Sequence, residues 1–260
     1  MKRTFYKYQG TGNDFILFDD RENSFPEKDT ELIARLCHRR FGIGADGLLL
    51  IRNENGYDFR MVYVNSDGKP SSMCGNGARC ISRFAHDIGA VKKTELKFIA
   101  VDGPHEAVIG KENVKVKMSD VNLIEKNPDH YFMSTGSPHY VKFEMNVKDV
   151  DVYHEGKKIR NNTRFLKEGT NVNFVESHDG GIFVRTYERG VEDETLSCGT
   201  GVTASALAAS LKGIASSSEK CFVHTPGGDL VVHFHKTAEG FDNIWLEGPA
   251  TFVFKGEIEI

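Results

Sequence analysis

Cys74 and Cys198 stand 124 positions apart, each in a glycine-rich stretch (Met73 to Arg79, MCGNGAR; Leu196 to Ala204, LSCGTGVTA). The same spacing relates residues along the whole chain: Thr11-Gly12 falls on Thr135-Gly136, Arg40-Phe41 on Arg164-Phe165, Phe59 on Phe183 and Tyr63 on Tyr187. One offset recurring without a net gap constrains the chain to two copies of one fold, each presenting one cysteine. At 260 residues the copies are each of ordinary domain size, roughly 120 residues. The expected domains are residues 1–118 and 119–249; the segment from about Pro249 to Ile260 has no counterpart in the first copy and is expected to return and complete the first domain.

In the first copy, Lys2 to Tyr8 and Asp14 to Phe18 read as two strands of a hairpin around Gln9-Gly10-Thr11-Gly12-Asn13. Asp29 or Thr30 can cap a helix running to about Arg40, with Cys37 on its apolar face. Gly42, Gly44 and Gly47 spell GxGxxG, but a strand pattern follows them and no helix does, so a dinucleotide site is discounted. After Cys74 comes a helix whose apolar face is Ala78, Ile81, Phe84, Ala85 and Ile88. Cys80 lies within it and reads as structural. Strands are expected at Glu95 to Val101, His105 to Gly110 and Asn113 to Met118.

The second copy repeats the order, with strands at Phe132 to Thr135, Tyr140 to Met145, Asn171 to Glu176 and Ile182 to Tyr187. A weaker helix is expected near Tyr153 to Arg164, and Glu188 to Glu194 reads as a polar loop. Its later helix, Gly199 to Leu211, is almost wholly Gly, Ala, Val, Ser, Thr and Leu, so it is expected to be buried with close neighbours. The fold class is therefore α+β: two pseudo-symmetric domains, each a mixed or antiparallel sheet wrapped around a central helix.

A thiol at a helix N-terminus meets the positive end of the dipole, which favours thiolate, and the adjacent glycines let a carboxylate approach the backbone N–H groups. Two such starts facing each other would hold one carboxylate between them, with a sulfur on each side of its α-carbon. That suits inversion at the α-carbon without a cofactor: one thiolate takes the proton from one face, the opposite thiol delivers one to the other, and fixed dipoles stabilise the charge that develops. Near-attack geometry would put the sulfurs roughly 7 Å apart around the substrate.

The stretches GTGNDF (Gly10 to Phe15), FGIGADG (Phe41 to Gly47), CGNGARC (Cys74 to Cys80), GTNVNFVE (Gly169 to Glu176) and YERG…ET-x-x-CGTG (Tyr187 to Gly201) closely resemble the diaminopimelate epimerase family. The resemblance implies that family's fold and the conversion of LL-2,6-diaminopimelate to the meso form without pyridoxal phosphate, on the lysine and cell-wall route. It also implies a homodimer whose domains close around the substrate. By position it assigns Cys74 and Cys198 as the acid and base pair, and Gly75-Asn76 and Gly199-Thr200 as the holders of the reacting carboxylate. Glu188 takes the place of the α-ammonium partner, Asn13, Asn65, Asn171 and Arg189 those of substrate readers, and His139 that of a histidine important for catalysis. An Arg suits the distal end because its planar fork matches a carboxylate.

Two positions depart from the family: Ser137 stands in a GSPH stretch where members often have Asn, and Gly47 where some have Gln. Both bear on specificity, with one distal contact expected to be lost at Ser137 or made through water. The rival on the same scaffold is a racemase for proline, hydroxyproline or histidine; Arg189 and the asparagines favour a substrate with a second charged end.

Other classes are disfavoured. Net charge is −4 with scattered Lys and Arg, which does not suggest nucleic acid or an anionic membrane as partner. No apolar run approaches a bilayer span, and Met1 to Gly10 lacks the core of a signal peptide, so a cytoplasmic protein is expected. Five cysteines, an odd number, argue against a disulfide framework, and neither Cys74 nor Cys198 sits in a C-x-x-C pair that would suggest a thiol redox protein. A binding protein that lost the chemistry is disfavoured by the retention of both cysteines. His224, His233 and His235 lack the spacing of a zinc site, and no metal is expected.

Overall fold

The computed structural model describes residues 2–70 and 73–260. In chain order the elements of the first part are β1 (Lys2–Gly10), β2 (Asn13–Asp19), α1 (Thr30–Cys37), β3 (Gly47–Arg52), β4 (Phe59–Asn65), α2 (Gly75–Asp87), β5 (Glu95–Ala100), β6 (Gly103–Ile109) and β7 (Asn113–Lys117). There follow β8 (Ile124–Lys126), β9 (Tyr131–Ser134), β10 (Pro138–Phe143), α3 (Val152–Arg160), β11 (Asn171–His178), β12 (Gly181–Glu188) and β13 (Asp193–Thr195). The chain ends with α4 (Gly199–Lys212), β14 (Lys220–Thr225), β15 (Gly228–Lys236), β16 (Phe241–Pro249) and β17 (Thr251–Glu259). Contacts divide it into two units, Met1–Val116 with Gly248–Ile260, and Lys117–Glu247.

In the first unit the strands run β17-β1-β2-β3-β4-β5-β6-β7, with parallel pairs at β2–β3 and β4–β5 and antiparallel pairs elsewhere. The β1–β2 hairpin closes through Thr11 (φ 49°) and Gly12 (φ 83°), the two left-handed residues that match a tight turn to the strand twist. β2 and β3 read FILF and LLLI because both faces are covered. Phe15, Leu17, Leu49 and Ile51 pack with α2 residues Ala78, Ile81, Phe84 and Ala85, while Ile16, Phe18, Leu48 and Leu50 pack with α1 residues Ile33, Leu36 and Cys37. Burying Ile81 and Phe84 completely contributes about 1.5–3 kcal/mol each.

Helix α1 starts as expected, with the Asp29 carboxylate accepting from Leu32 N at 2.9 Å, but it ends at Cys37 and not near Arg40. The chain turns back at its end, and Ile43 N and Gly44 N both donate to the Leu36 carbonyl, satisfying the terminal acceptor that a longer helix would have used.

The second unit repeats the plan as β8-β9-β10-β11-β12-β14-β15-β16, with parallel pairs at β10–β11 and β12–β14. α4 packs on one face of this sheet with Val141, Val175, Ile182 and Val184, and α3 covers the other with Tyr140, Val172, Phe174 and Tyr187. α3 ends at Arg160, and Gly156 does not interrupt it: a Cβ there would lie 2.4 Å from Tyr187, so the glycine admits the ring. The short strands β8 and β13 are not expected from the sequence; β13 overlaps the end of the segment expected as a loop and pairs with β12 from Thr186↔Thr195 to Glu188↔Asp193.

The repeat is not uniform at one offset. Leu49 pairs with Tyr63, and Asn173, 124 positions after Leu49, pairs with Thr186, so Tyr63 corresponds to Thr186 and not to Tyr187. The strands alternate faces, so this one-residue slip in β4 and β12 decides which side chains meet the central helix. Tyr63 packs on the α2 side, whereas Tyr187 and Phe183 pack on the α3 side. Among the described residues no helix is long and apolar enough to cross a membrane.

Candidate active site

Each cysteine of the repeat is the N-cap of a central helix. Cys74 (φ −112°, ψ 121°) precedes α2 and Cys198 (φ −117°, ψ 110°) precedes α4. Neither side chain caps its own helix, and neither first turn carries an acidic residue, so no carboxylate there neutralises the positive end of the dipole. Glycines at Gly75 and Gly199 open each helix.

In the first unit Cys74 Sγ donates to Asn13 Oδ1 at 3.5 Å, and Asn76 Nδ2 donates to the same oxygen at 3.3 Å. Asn13 Nδ2 donates to Asp46 Oδ2 at 2.7 Å, which fixes the amide with its oxygen toward the cysteine. Asp46 and Asp14 share Arg39, and Lys7 Nζ lies 2.7 Å from Asp14. Burial opposes the charge on Asp14, but Arg39 and Lys7 outweigh it and hold the carboxyl at about 2. Arg79, completely buried, donates to Asn76 Oδ1 at 2.9 Å, Thr11 Oγ1 at 3.3 Å and Pro249 O at 3.2 Å, and so braces the loop and the helix start from below. Asn65 ends β4 opposite Gly47, and its carboxamide has no hydrogen-bond partner among the described residues. Gly47 has no room for a longer side chain: a Cβ would lie 2.5 Å from the Tyr63 ring.

In the second unit Cys198 Sγ lies 3.4 Å from Thr200 Oγ1, and Thr135 Oγ1 donates to Thr200 O at 2.8 Å. Glu188 Oε2 accepts from Thr195 Oγ1 at 2.9 Å. Arg189 donates through Nη1 to Glu168 O at 2.8 Å and through Nη2 to Ser137 Oγ at 3.2 Å. Asn171 spends both ends of its carboxamide inside the protein: Oδ1 accepts from Arg189 N at 2.8 Å, and Nδ2 donates to Ser137 Oγ at 3.0 Å and Pro138 O at 3.2 Å. Ser137 therefore makes direct contacts with Asn171 and Arg189, where the sequence had suggested only a shortened reach. His139 is completely buried, and burial, aided by the Arg189 charge, pushes its imidazole down to about 3.

Asn13, Cys74 and Asn76 thus meet in the first unit, with Gly75 beside them and Asn65 at the end of β4. Asn171, Arg189 and His139 meet in the second, as do Cys198 and Thr200 at the α4 start. The sequence reading missed Asn173, which lies between His139 and α4. Its signal was present: Asn173 follows Asn171 by two in a strand, so both share the helix-facing side with Val175. Missed also were Arg79, Asp46 and Thr195. The three histidines weighed as metal ligands have carboxylate partners: His224 with Asp229, His233 with Glu247 and His235 with Asp242, each at 2.8 Å. Among the described residues no group of three or more His, Cys, Asp or Glu could hold a metal.

A family model described as diaminopimelate epimerase matches residues 5–124 and 131–253. The diaminopimelate epimerase of Flavobacterium psychrophilum is 48% identical over 255 residues, covering 97% of this chain and 99% of the relative. That of Chlorobaculum tepidum is 43% identical over 260 residues, covering 96% and 99%. Among solved structures, a PhzF-family phenazine biosynthesis protein from Bacillus anthracis superposes with a TM-score of 0.79 at 15% identity, covering all of both chains. A hydroxyproline epimerase from Agrobacterium vitis does so with 0.69 at 11% identity, covering 99% of this chain and 91% of the other. At such identities these two show a shared fold.

Proposed function

The chain belongs to the diaminopimelate epimerase family, and we propose that it interconverts LL-2,6-diaminopimelate and meso-diaminopimelate by a two-base thiol mechanism. The observation that carries this reading is the occurrence of two repeat-related cysteines, each the N-cap of the central helix of its unit. One sulfur, as thiolate, takes the α-proton. The C–H electron pair passes into the carboxylate, a charge that N–H groups opening a helix are suited to meet, such as those at Gly75-Asn76 of α2 and Gly199-Thr200 of α4. The other sulfur, as thiol, returns a proton to the opposite face, and the configuration inverts. The mechanism requires both sulfurs to reach one α-carbon.

Glu188, oriented by Thr195, serves the α-ammonium in this reading. Arg189 takes the distal carboxylate, its guanidinium steadied by Glu168 O and Ser137 Oγ, and Asn13 and Asn65 complete the reading of the substrate. Asn171 holds Ser137 and the Arg189 backbone, and so supports the distal contacts from behind. The second charged end that Arg189 requires favours diaminopimelate over a monocarboxylic amino acid. A cytoplasmic homodimer is part of the proposal; Phe252, Val253 and Phe254, all about half exposed along β17, support self-association, which sedimentation of the purified chain tests.

The test is α-proton exchange followed by NMR in deuterated water with LL-diaminopimelate, for the intact chain, Cys74→Ala and Cys198→Ala. Deuterium entering with inversion in the intact chain, and epimerisation lost in both variants, is expected. No exchange with this substrate in the reduced intact protein, or exchange only with proline or hydroxyproline, overturns the assignment.

A further inference from the structure

Beneath α4 the second unit carries polar side chains where the first carries apolar ones. By strand pairing, His139, Asn173 and Thr186 correspond to Phe15, Leu49 and Tyr63. In the first unit Phe15 and Tyr63 meet edge to face at 5.9 Å and join the α2 core with Leu49. In the second, His139 and Asn173 are completely buried and Thr186 nearly so. Burying three polar groups where the same fold accepts apolar ones is costly unless each bond is made and the arrangement does something.

The hydrogen bonds fix more than position. The Tyr140 carbonyl can only accept, and it lies 3.0 Å from Asn173 Nδ2, so the amide nitrogen must face that side. Asn173 Oδ1 then faces Thr186 Oγ1, which donates at 3.0 Å. The remaining Nδ2 hydrogen points at His139 Nδ1, 3.2 Å away, and has no other acceptor among the described residues. Nδ1 must therefore offer its lone pair, and in a neutral ring the proton sits on Nε2. At that end, Asn171 Nδ2 lies 3.4 Å from Nε2, but its two hydrogens are already directed at Ser137 Oγ and Pro138 O. The Nε2–H is thus a buried donor with no acceptor among the described residues. Its ring lies on the first turn of α4, with Cε1 3.3 Å from where a Cβ on Gly201 would be.

We propose that Asn173 is a positioning residue that locks His139 in the neutral Nε2–H tautomer, making the imidazole a fixed hydrogen-bond donor beside the start of α4 and not a proton carrier. The tautomer follows from the second unit alone; its catalytic consequence rests on the epimerase reading. Burial and the neighbouring Arg189 charge keep the ring neutral through the working pH range. A donor held in this way stabilises negative charge arriving at the α4 start without reorganising, whereas a free imidazole would exchange tautomers and lose that advantage.

The test is long-range proton–nitrogen NMR on the full chain labelled with nitrogen-15 histidine, the His139 signals being assigned by their loss in His139→Phe. Expected are an unprotonated Nδ1 and a protonated Nε2, unchanged between about pH 5 and 8, the range in which an ordinary imidazole titrates. Asn173→Asp, whose ionised carboxylate can only accept, should move the proton to Nδ1 or charge the ring and lower kcat roughly 10- to 100-fold with KM changed less than about 2-fold. Asn173→Leu carries the residue that the first unit has at this place, and should give a mixture of tautomers with a similar fall in kcat. An Nδ1–H ring or an imidazolium in the intact protein overturns the proposal, as does an altered tautomer in either variant with kcat unchanged. If the intact chain fails to epimerise diaminopimelate, the tautomer readout still decides the Asn173 assignment, and the two readings fail separately.

Discussion

Gly77 and Gly201 occupy the same place in the two cysteine motifs, yet alanine should act on them in opposite directions. At either site alanine gains about 0.5–1 kcal/mol of helix stability by removing glycine's conformational freedom. At Gly77 the new methyl meets Met61 Cε at 3.4 Å, Phe15 Cζ at 3.5 Å and Cys74 Cβ at 3.6 Å, all ordinary contacts. At Gly201 it meets Asn173 Oδ1 at 2.4 Å. Relief requires the carboxamide to leave its bonds with Thr186, Tyr140 O and His139, and each buried group left unpaired costs about 1–3 kcal/mol. With three such groups and the helix gain subtracted, Gly201→Ala should destabilise the second unit by about 2–8 kcal/mol. At a urea slope of about 2 kcal/mol per molar, its midpoint falls by about 1–4 M. Gly77→Ala should leave the first unit unchanged or up to about 1 kcal/mol more stable. Urea titrations followed by circular dichroism and amide NMR, which separates the units, provide the assay. Asn173→Ala should remove most of the Gly201→Ala penalty, because the oxygen it meets is gone. Equal midpoints for the two alanine variants, or a penalty that survives Asn173→Ala, would show that the Asn173 oxygen does not oppose a methyl group at position 201.

Three further predictions concern protonation. Asp14 is held at about 2 against an ordinary 3.8, so its ion pairs stabilise the folded state above about pH 4 and that contribution disappears as pH falls towards 2; its worth is about 2 kcal/mol, and Asp14→Asn should be weaker than the intact protein at pH 7 but equal to it near pH 2. His139 takes a proton in the folded state only near 3 but in the unfolded state near 6.5, so stability rises with pH between these values, and acid titration of His139→Phe should lack that slope. Burial pushes the thiols of Cys37 and Cys80 up to about 12 and that of Cys221 up to about 11, so a Cys74→Ala/Cys198→Ala protein should take up no iodoacetamide at pH 8 until unfolded, when mass spectrometry should find three labels.

Much of the candidate site was legible because its signals are local. A cysteine before a run of small residues marks a helix start, and Cys74 and Cys198 are indeed N-caps. Continuous apolar runs such as FILF and LLLI mark strands covered on both faces. The correspondence of Tyr63 with Thr186 was not legible, since identical tyrosines 124 positions apart suggested another alignment. The end of α1 was hidden for a similar reason: the returning loop that satisfies the Leu36 carbonyl lies outside the helix pattern.

By itself the sequence determined that there are two copies of one fold, that each presents a cysteine at the start of a helix, and which family the motifs resemble, because repeats, caps and hydrophobic periods are written in short stretches of chain. Only tertiary structure decided which copy surrounds its helix with polar groups. Asn173 resembles any other strand asparagine until Tyr140, Thr186 and His139, brought from two other strands, orient its amide and place its oxygen against Gly201. The orientation of a buried amide, and with it the position of a proton on a neighbouring ring, depends on which donors and acceptors surround it in space, and those partners are set by strand register and packing.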